Sequence, residues 1–291
     1  MTKSRIHCLF LALLLVPFST LFAESSVWVA SNGTSTVYLA GSVHVLRAAD
    51  YPLPPEFERA YRQAGRVALE VSLAEMENPA VREKLQDCAV YKDGTTIQEH
   101  LSPKAYARVK EFCEKRKYPL ARLQACRPWS LAMTLMMLEL HRLGVEPTNG
   151  VDRVFDARAH QDAKPVEGLE TVDEQIGFLT LIDKGLDDDQ IIQSIAELED
   201  LDAKLSTMIQ AWRTGDEKGL QEVMLKEFTN YPNLYQALLV DRNRKWLAKI
   251  EGFLKGPDRV LVVVGAAHLV GDDSVVAMLR KKGYKVEKLG K

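Results

Sequence analysis

Between Arg259 and Gly271 the chain reads RVLVVVGAAHLVG, five consecutive Val or Leu residues followed by Gly265, two alanines and His268. An unbroken apolar run of this length, closed by glycine, predicts a strand buried on both faces whose turn presents His268 at the carboxyl end. Near the amino end, TVYLAGSVHVL sets Gly41 and His44 in the same relation to a β-branched and apolar run. This strand is the second arm of a predicted hairpin, which opens on the alternating SVWVAS and turns at Asn32-Gly33. RVALEVS predicts a third strand with Glu70 near its end, and YKVEKL a last one. No repeat recurs at fixed period; the pair of Gly-x-x-His turns is the internal echo.

The pattern between these strands is helical. Pro52, Pro54 and Pro55 introduce a helix over Glu56 to Ala64, closed by Gly65. From Glu75 to about Leu254 apolar residues recur at three-to-four spacing. PWSLAMTLMMLELHRLG is apolar almost all round, which predicts a buried helix with its methionines as core filler. Gly150-Val151-Asp152 opens another helix, and a carboxylate near its positive end needs no further explanation. AKPVEGLE interrupts the helical part with a strand-like stretch, after which TVDEQIGFLTLI resumes it. Asp187 to Asp189 read as the acidic start of a long helix running to Trp212, or as a cation attractor. Leu234 to Leu254 and Asp272 to Lys282 complete the set. The expected fold is α/β: a small mixed sheet from both ends of the chain, about 27–72 and 258–290, with a large helical insertion over about 75–254. All of it belongs to one domain, 24–291.

The composition, 46% hydrophobic and 27% charged over 291 residues, is that of a folded globular chain. Residues 1–23 stand apart: Lys3 and Arg5, an apolar run from Cys8 to Val16, then a small residue, Ala23, before Glu24. This is a signal-peptide pattern, so cleavage after Ala23 and a periplasmic or secreted mature protein are expected. Cleavage leaves 36 basic against 40 acidic side chains, a net −4 that does not favour nucleic acid. LAMTLMMLEL is too short for a bilayer and carries Glu139, so no stable membrane insertion is expected after cleavage. Cys88, Cys113 and Cys126 remain, an odd set without Cys-x-x-Cys spacing, read as structural with any pairing open.

Two imidazoles at strand ends, His44 and His268, and a carboxylate at a third, Glu70, are the ligand types of zinc, manganese and iron sites with open positions for water. A carboxylate in a Val, Ala and Leu run is costly unless paired; its bland reading is a solvated edge strand. Such an ion activates water and polarises a carbonyl, so hydrolysis follows, with Glu170 and Arg242 as the candidate base and charge stabiliser. Glu170 equally suits a helix cap, and Gln175 lies one turn on. Arg242 shares a helix face with Trp246 while Arg244 points elsewhere. His100, His141 and His160 are read as structural. His-Glu-x-x-His, Gly-x-Ser-x-Gly and P-loop patterns are absent.

YLAGSVHVL, VALEVS, GVDRVFD, KPVEGLET with Gln175, DRNRKW and VVVGAAHLVG, in that order, resemble the TraB/GumN family, which includes the TIKI-type proteases. The resemblance spans about 27–289. It implies an EreA/ChaN/TIKI-like fold, two halves of an α/β core around the Gly-x-x-His pair, with His44, Glu70 and His268 around a metal and Arg242 and Asn243 nearby. For TIKI-type members it implies manganese- or cobalt-dependent peptide cleavage; zinc stays in the set by ligand type. Other members are linked to binding peptide pheromones, and the wider superfamily to haem binding and esterase-like chemistry. The expected function is a periplasmic metal-dependent hydrolase of peptides or small molecules. The alternatives are a non-catalytic peptide- or haem-binding protein and a purely structural module.

Overall fold

The computed structural model describes residues 25–185 and 188–290. The expected signal segment 1–23 and Asp187 of the acidic triplet lie outside the described residues. Among the described residues there are eight strands: β1 (Val27–Ser31), β2 (Thr36–Ser42), β3 (Leu46–Arg47), β4 (Arg66–Leu69), β5 (Val145–Glu146), β6 (Val166–Gly168), β7 (Val260–Gly265) and β8 (Lys285–Lys288). Six of them form one sheet in the order β6-β4-β7-β2-β1-β8, and β3 and β5 make a separate two-stranded ribbon. The α/β class and the mixed sheet are as the sequence predicts; five of the six strands come from the two ends of the chain, and β6, from within the helical part, adds the sixth beside β4.

The register explains why the site can exist. β6, β4, β7 and β2 run parallel and side by side, with Leu69 opposite Val263 and Gly168, and Ser42 opposite Gly265. All four carboxyl ends therefore open on one edge of the sheet, where parallel sheets bind ligands. β7 lies between β4 and β2, and all six of its residues are buried, which is why its pattern lacks alternation. Each fully buried Val or Leu contributes about 1.5–3 kcal/mol of transfer free energy. β8 closes the far edge with Lys285 and Glu287 outward and Val286 inward, a charged margin that discourages further pairing. Phe57 and Tyr61 of the helix Pro55–Gln63 pack on Phe155 of the helix Val151–Gln161, both set against the sheet. The helical half has its own core around Ile97, Val109, Phe112, Leu131, Leu135 and Ile195.

Several boundaries differ from the pattern-based expectation. The helix Pro128–Arg142 is apolar on most sides, yet it buries Trp129, Leu131, Leu135 and Leu140 while Met133 and Met136 are 43% and 40% exposed. The stretch from Asp188 to Trp212 is two helices, Asp188–Glu199 and Leu201–Thr214, divided at Asp200. The helix expected from Leu234 begins as Pro232–Tyr235, passes through a π-turn at Gln236–Val240 and continues as Asp241–Lys255. After β7 comes a short 3-10 turn, Ala266–Leu269, and the last helix starts at Val275. Cys88, Cys113 and Cys126 are all free thiols.

Candidate functional site

Each of the four parallel strands delivers one polar side chain to the common edge: β2 gives His44, β4 gives Glu70, β6 gives Glu170 and β7 gives His268. The solvated-edge reading of Glu70 is overturned, because β4 is flanked on both sides and the side chain is 14% exposed. Gly265 is the point about which the set is arranged. A Cβ built there would lie 3.3 Å from both Glu70 Oε1 and His44 Nε2, and 3.5 Å from His268 Cδ2. The missing side chain leaves that room, and the Gly265 N–H donates to Glu70 Oε1 at 2.7 Å.

Glu70 divides its two oxygens. Oε1 lies 3.8 Å from His44 Nε2 and 4.0 Å from His268 Nε2, while Oε2 accepts from Arg242 Nη2 at 2.6 Å. Arg242 comes from the first turn of Asp241–Lys255, just after the π-turn, whose Leu238 carbonyl accepts from Nη1. Such insertions recur at functional sites because they re-aim the side chains that follow. The same guanidinium binds Glu170 twice, Nε to Oε2 at 3.1 Å and Nη2 to Oε1 at 2.7 Å. Trp246, one turn on, donates from its indole to Glu170 Oε2 at 3.0 Å, and Gln175 donates to Oε1 at 2.5 Å. The shared face of Arg242 and Trp246 is as expected, with Arg244 outward and 62% exposed. Arg242 also lies over the rings of Phe178 and Trp246.

His268 is buried and held in one tautomer. Asn243 Nδ2 donates to the Asp273 carbonyl at 2.8 Å, which turns its Oδ1 toward His268 Nδ1, 2.7 Å away. Nδ1 therefore carries the proton, and Nε2 accepts from Arg242 Nη1 at 3.2 Å. The Trp246 ring packs against the imidazole with centroids 4.4 Å apart. His44 is different: its side chain is 54% exposed, and its Nδ1 lies 3.3 Å from Asp152 Oδ2.

These surroundings set the charges. Burial pushes His268 down to about 3, with Arg242 and His44 adding to that and Glu70 opposing it, so it is neutral. Burial also works against a charge on His44, but the hydrogen bond to Asp152 and the carboxylates of Glu70 and Asp152 outweigh it, raising it to about 9. The charge of Glu70 is likewise opposed by burial. The cationic pulls of His268 when protonated, of Arg242 and of His44, with the Gly265 N–H, hold it well below the usual carboxylate range. Glu170 goes the other way, raised by burial in spite of Arg242 and Trp246.

Among the described residues no three His, Cys, Asp or Glu side chains form a ready-made metal-holding group. The His268 Nε2 lone pair that an ion would need already accepts from Arg242 Nη1 at 3.2 Å. By residue type two imidazoles and a carboxylate suit an ion, and two donors bound at about 2.1 Å lie no farther apart than about 4.2 Å. Glu70 Oε1 meets that limit with each histidine Nε2, at 3.8 and 4.0 Å. A cavity of about 220 Å³ opens beside His44 and Glu70, lined also by Asp152, Gln175, Leu69 and Leu73. His268, Arg242, Glu170 and Asn243 lie behind this wall. His100, His141 and His160 are elsewhere, stacked on Tyr91 or paired with Glu146 and Asp156.

The contact the sequence reading missed is Asp152, taken there as a helix-end carboxylate. The signal for it was Gly150 two residues earlier, because a Cβ at that position would overlap the His44 carbonyl oxygen. Only a glycine lets that helix start touch the His44 turn.

The TraB/PrgY/gumN family model matches residues 26–288, and the chain belongs to that family. It is 25% identical over 249 residues to YbaP of Escherichia coli K12, described as an uncharacterized protein, covering 85% of this chain and 89% of YbaP. The YbaP of Shigella flexneri matches to the same extent. The metalloprotease TIKI2 of Danio rerio is 22% identical over 309 residues, covering 86% of this chain and 58% of TIKI2. No solved structure matches. No helix among the described residues is long and apolar enough to cross a membrane.

Proposed function

We propose that the protein is a metal-dependent hydrolase acting on peptides, in the periplasm or outside the cell after removal of residues 1–23. The observation that carries this reading is the meeting of His44, Glu70 and His268 round Gly265, three donors from three parallel strands, two of which, His44 and Glu70, line one cavity. Distant likeness to a metalloprotease supports the same chemistry. His44, Glu70 and His268 would hold the ion, manganese or cobalt by the family resemblance or zinc by ligand type, and it would supply Lewis acidity and a water acidic enough to react near neutral pH.

The chain's own residues have distinct parts in this scheme. Arg242, paired to Glu70 and Glu170, is the cation available to a developing negative charge once it turns from His268. Glu170 and Asn243 spend their polar atoms on Arg242 and His268, so they act by positioning those side chains. Gln175 and Leu73 line the cavity and meet the substrate.

The test is hydrolysis of a peptide library by purified mature protein, with metal content measured in parallel. Turnover should rise with added Mn²⁺, stop with chelator, and be absent in His44→Ala and His268→Ala. Metal bound without turnover would instead support the peptide- or haem-binding alternative. Absence of any first-row metal, with neither substitution changing Mn²⁺ affinity, would leave the proposal without its centre. N-terminal sequencing of the exported protein checks cleavage after Ala23.

A further inference from the structure

His44 is the weak point of the donor set. It is half exposed, where an imidazole ordinarily turns freely, yet its Nε2 faces Glu70. Three contacts from one neighbouring helix start account for its placement. The Val151 N–H donates to the Val43 carbonyl at 3.1 Å, tying the helix to the residue before His44. Gly150 closes on the His44 carbonyl at a distance that admits no side chain. Asp152 then lies with Oδ2 3.3 Å from His44 Nδ1, while its Oδ1 accepts from Ser42 Oγ at 3.0 Å. Ser42 is the last residue of β2, so the carboxylate is braced against the strand that carries the histidine.

We infer that Asp152 is a positioning residue of the site: it accepts a hydrogen bond from the Nδ1–H of His44 and so directs Nε2 toward Glu70. A carboxylate behind a ligating imidazole fixes ring and tautomer together, and raises the basicity of the opposite nitrogen. The buried partner shows the same arrangement with a neutral group, His268 Nδ1 on Asn243 Oδ1. A neutral amide is enough where packing already holds the ring. The exposed ring needs the stronger acceptor, and the helix amino end that carries Asp152 stabilises its charge.

This inference rests on the metal-site reading only for its effect on affinity; the tautomer is a property of the metal-free protein. Two measurements therefore keep the two ideas apart. Nitrogen NMR of the His44 ring at alkaline pH, where the imidazole is neutral, should show the proton on Nδ1 in the wild type. In Asp152→Ala it should move to Nε2, and in the isosteric Asp152→Asn the preference should weaken. Mn²⁺ affinity should fall about 10–100-fold in Asp152→Ala, and less in Asp152→Asn. Ser42→Ala removes the brace alone and should lower affinity by a smaller factor with the same sign. A wild-type Nδ1–H tautomer that persists in Asp152→Ala would overturn the inference, as would undiminished Mn²⁺ binding in that variant. A tautomer shift in a protein that binds no Mn²⁺ would uphold the role of Asp152 while removing the metal reading. If Asp152→Ala does not fold, Asp152→Asn gives the same comparison without the lost volume.

Discussion

The two histidines occupy opposite kinds of ground, although each follows a parallel strand and a Gly-x-x spacing. His268 sits 4% exposed under Trp246, its tautomer set by an amide and its charge suppressed by burial. His44 stands at the cavity mouth, held by a carboxylate that favours its charge. One side of the site is thus built by packing and the other by electrostatics. A site of this kind has a floor set by burial and a mouth set by charge.

The largest expected effect tests the floor. Arg242→Ala leaves Glu70 and Glu170 facing each other with their shared cation gone, and removing one partner of a buried pair costs about 3–5 kcal/mol. Urea unfolding should show that loss, and adding Glu170→Gln to Arg242→Ala should recover part of it. An unchanged midpoint would mean that the ion-pair network contributes nothing to the floor.

Next comes the direct comparison. His268→Ala should destabilise by about 2–3 kcal/mol through a cavity and orphaned partners, whereas His44→Ala should stay within about 0.5 kcal/mol. Both should lose Mn²⁺ binding, read by calorimetric titration. Equal stability losses would erase the distinction between packed and charge-held sides. A smaller effect is expected from Gly265→Ala, whose added methyl overpacks the centre of the donor set at about 1–3 kcal/mol. It should weaken Mn²⁺ binding as well, because Glu70 and His44 must draw back from it.

The last comparison is in pH, and it has opposite signs on the two sides. His268 in the metal-free fold is pushed below its free value of 6.5, so its contribution is full above that pH and is lost as pH falls toward about 3. His44 is raised, so its contribution is full below 6.5 and is lost as pH rises through about 9. Exposure of His44 to solvent makes the alkaline limb the shallower one. Melting temperatures across pH should therefore lose the acid limb in His268→Ala and the alkaline limb in His44→Ala; exchange of the two limbs would refute the assignment.

How much of this the sequence discloses depends on how local each cause is. β2, β4 and β7 are legible because a strand buried on both faces must be apolar throughout, and the glycine that ends two of them is a local need. His44, Glu70 and His268 follow from those strands. The arginine follows from helical spacing, since Trp246 one turn on shows which face is inward. What sequence does not disclose is the partner chosen across the fold. Asp152 explains itself as a helix-end carboxylate, and nothing along the chain tells that Gly150 brings it against His44. The division at Asp200 and the π-turn before Asp241 are likewise hidden, because both patterns stay helical through the break. Met133 and Met136 mislead for the converse reason, since apolar character on all sides of a helix does not require burial on all sides.

The position of β7 has a consequence for how the molecule comes into being. It wedges between β2 and β4, which do not pair with each other, yet it follows both of them and the whole helical part along the chain. The amino-terminal strands must wait, with the gap between them open, until the carboxyl-terminal segment arrives to fill it. A polypeptide that stops short of β7 lacks both His268 and the strand between β2 and β4, so the candidate site cannot assemble on it. A chain ending before Arg259 should show no cooperative melting and bind no metal.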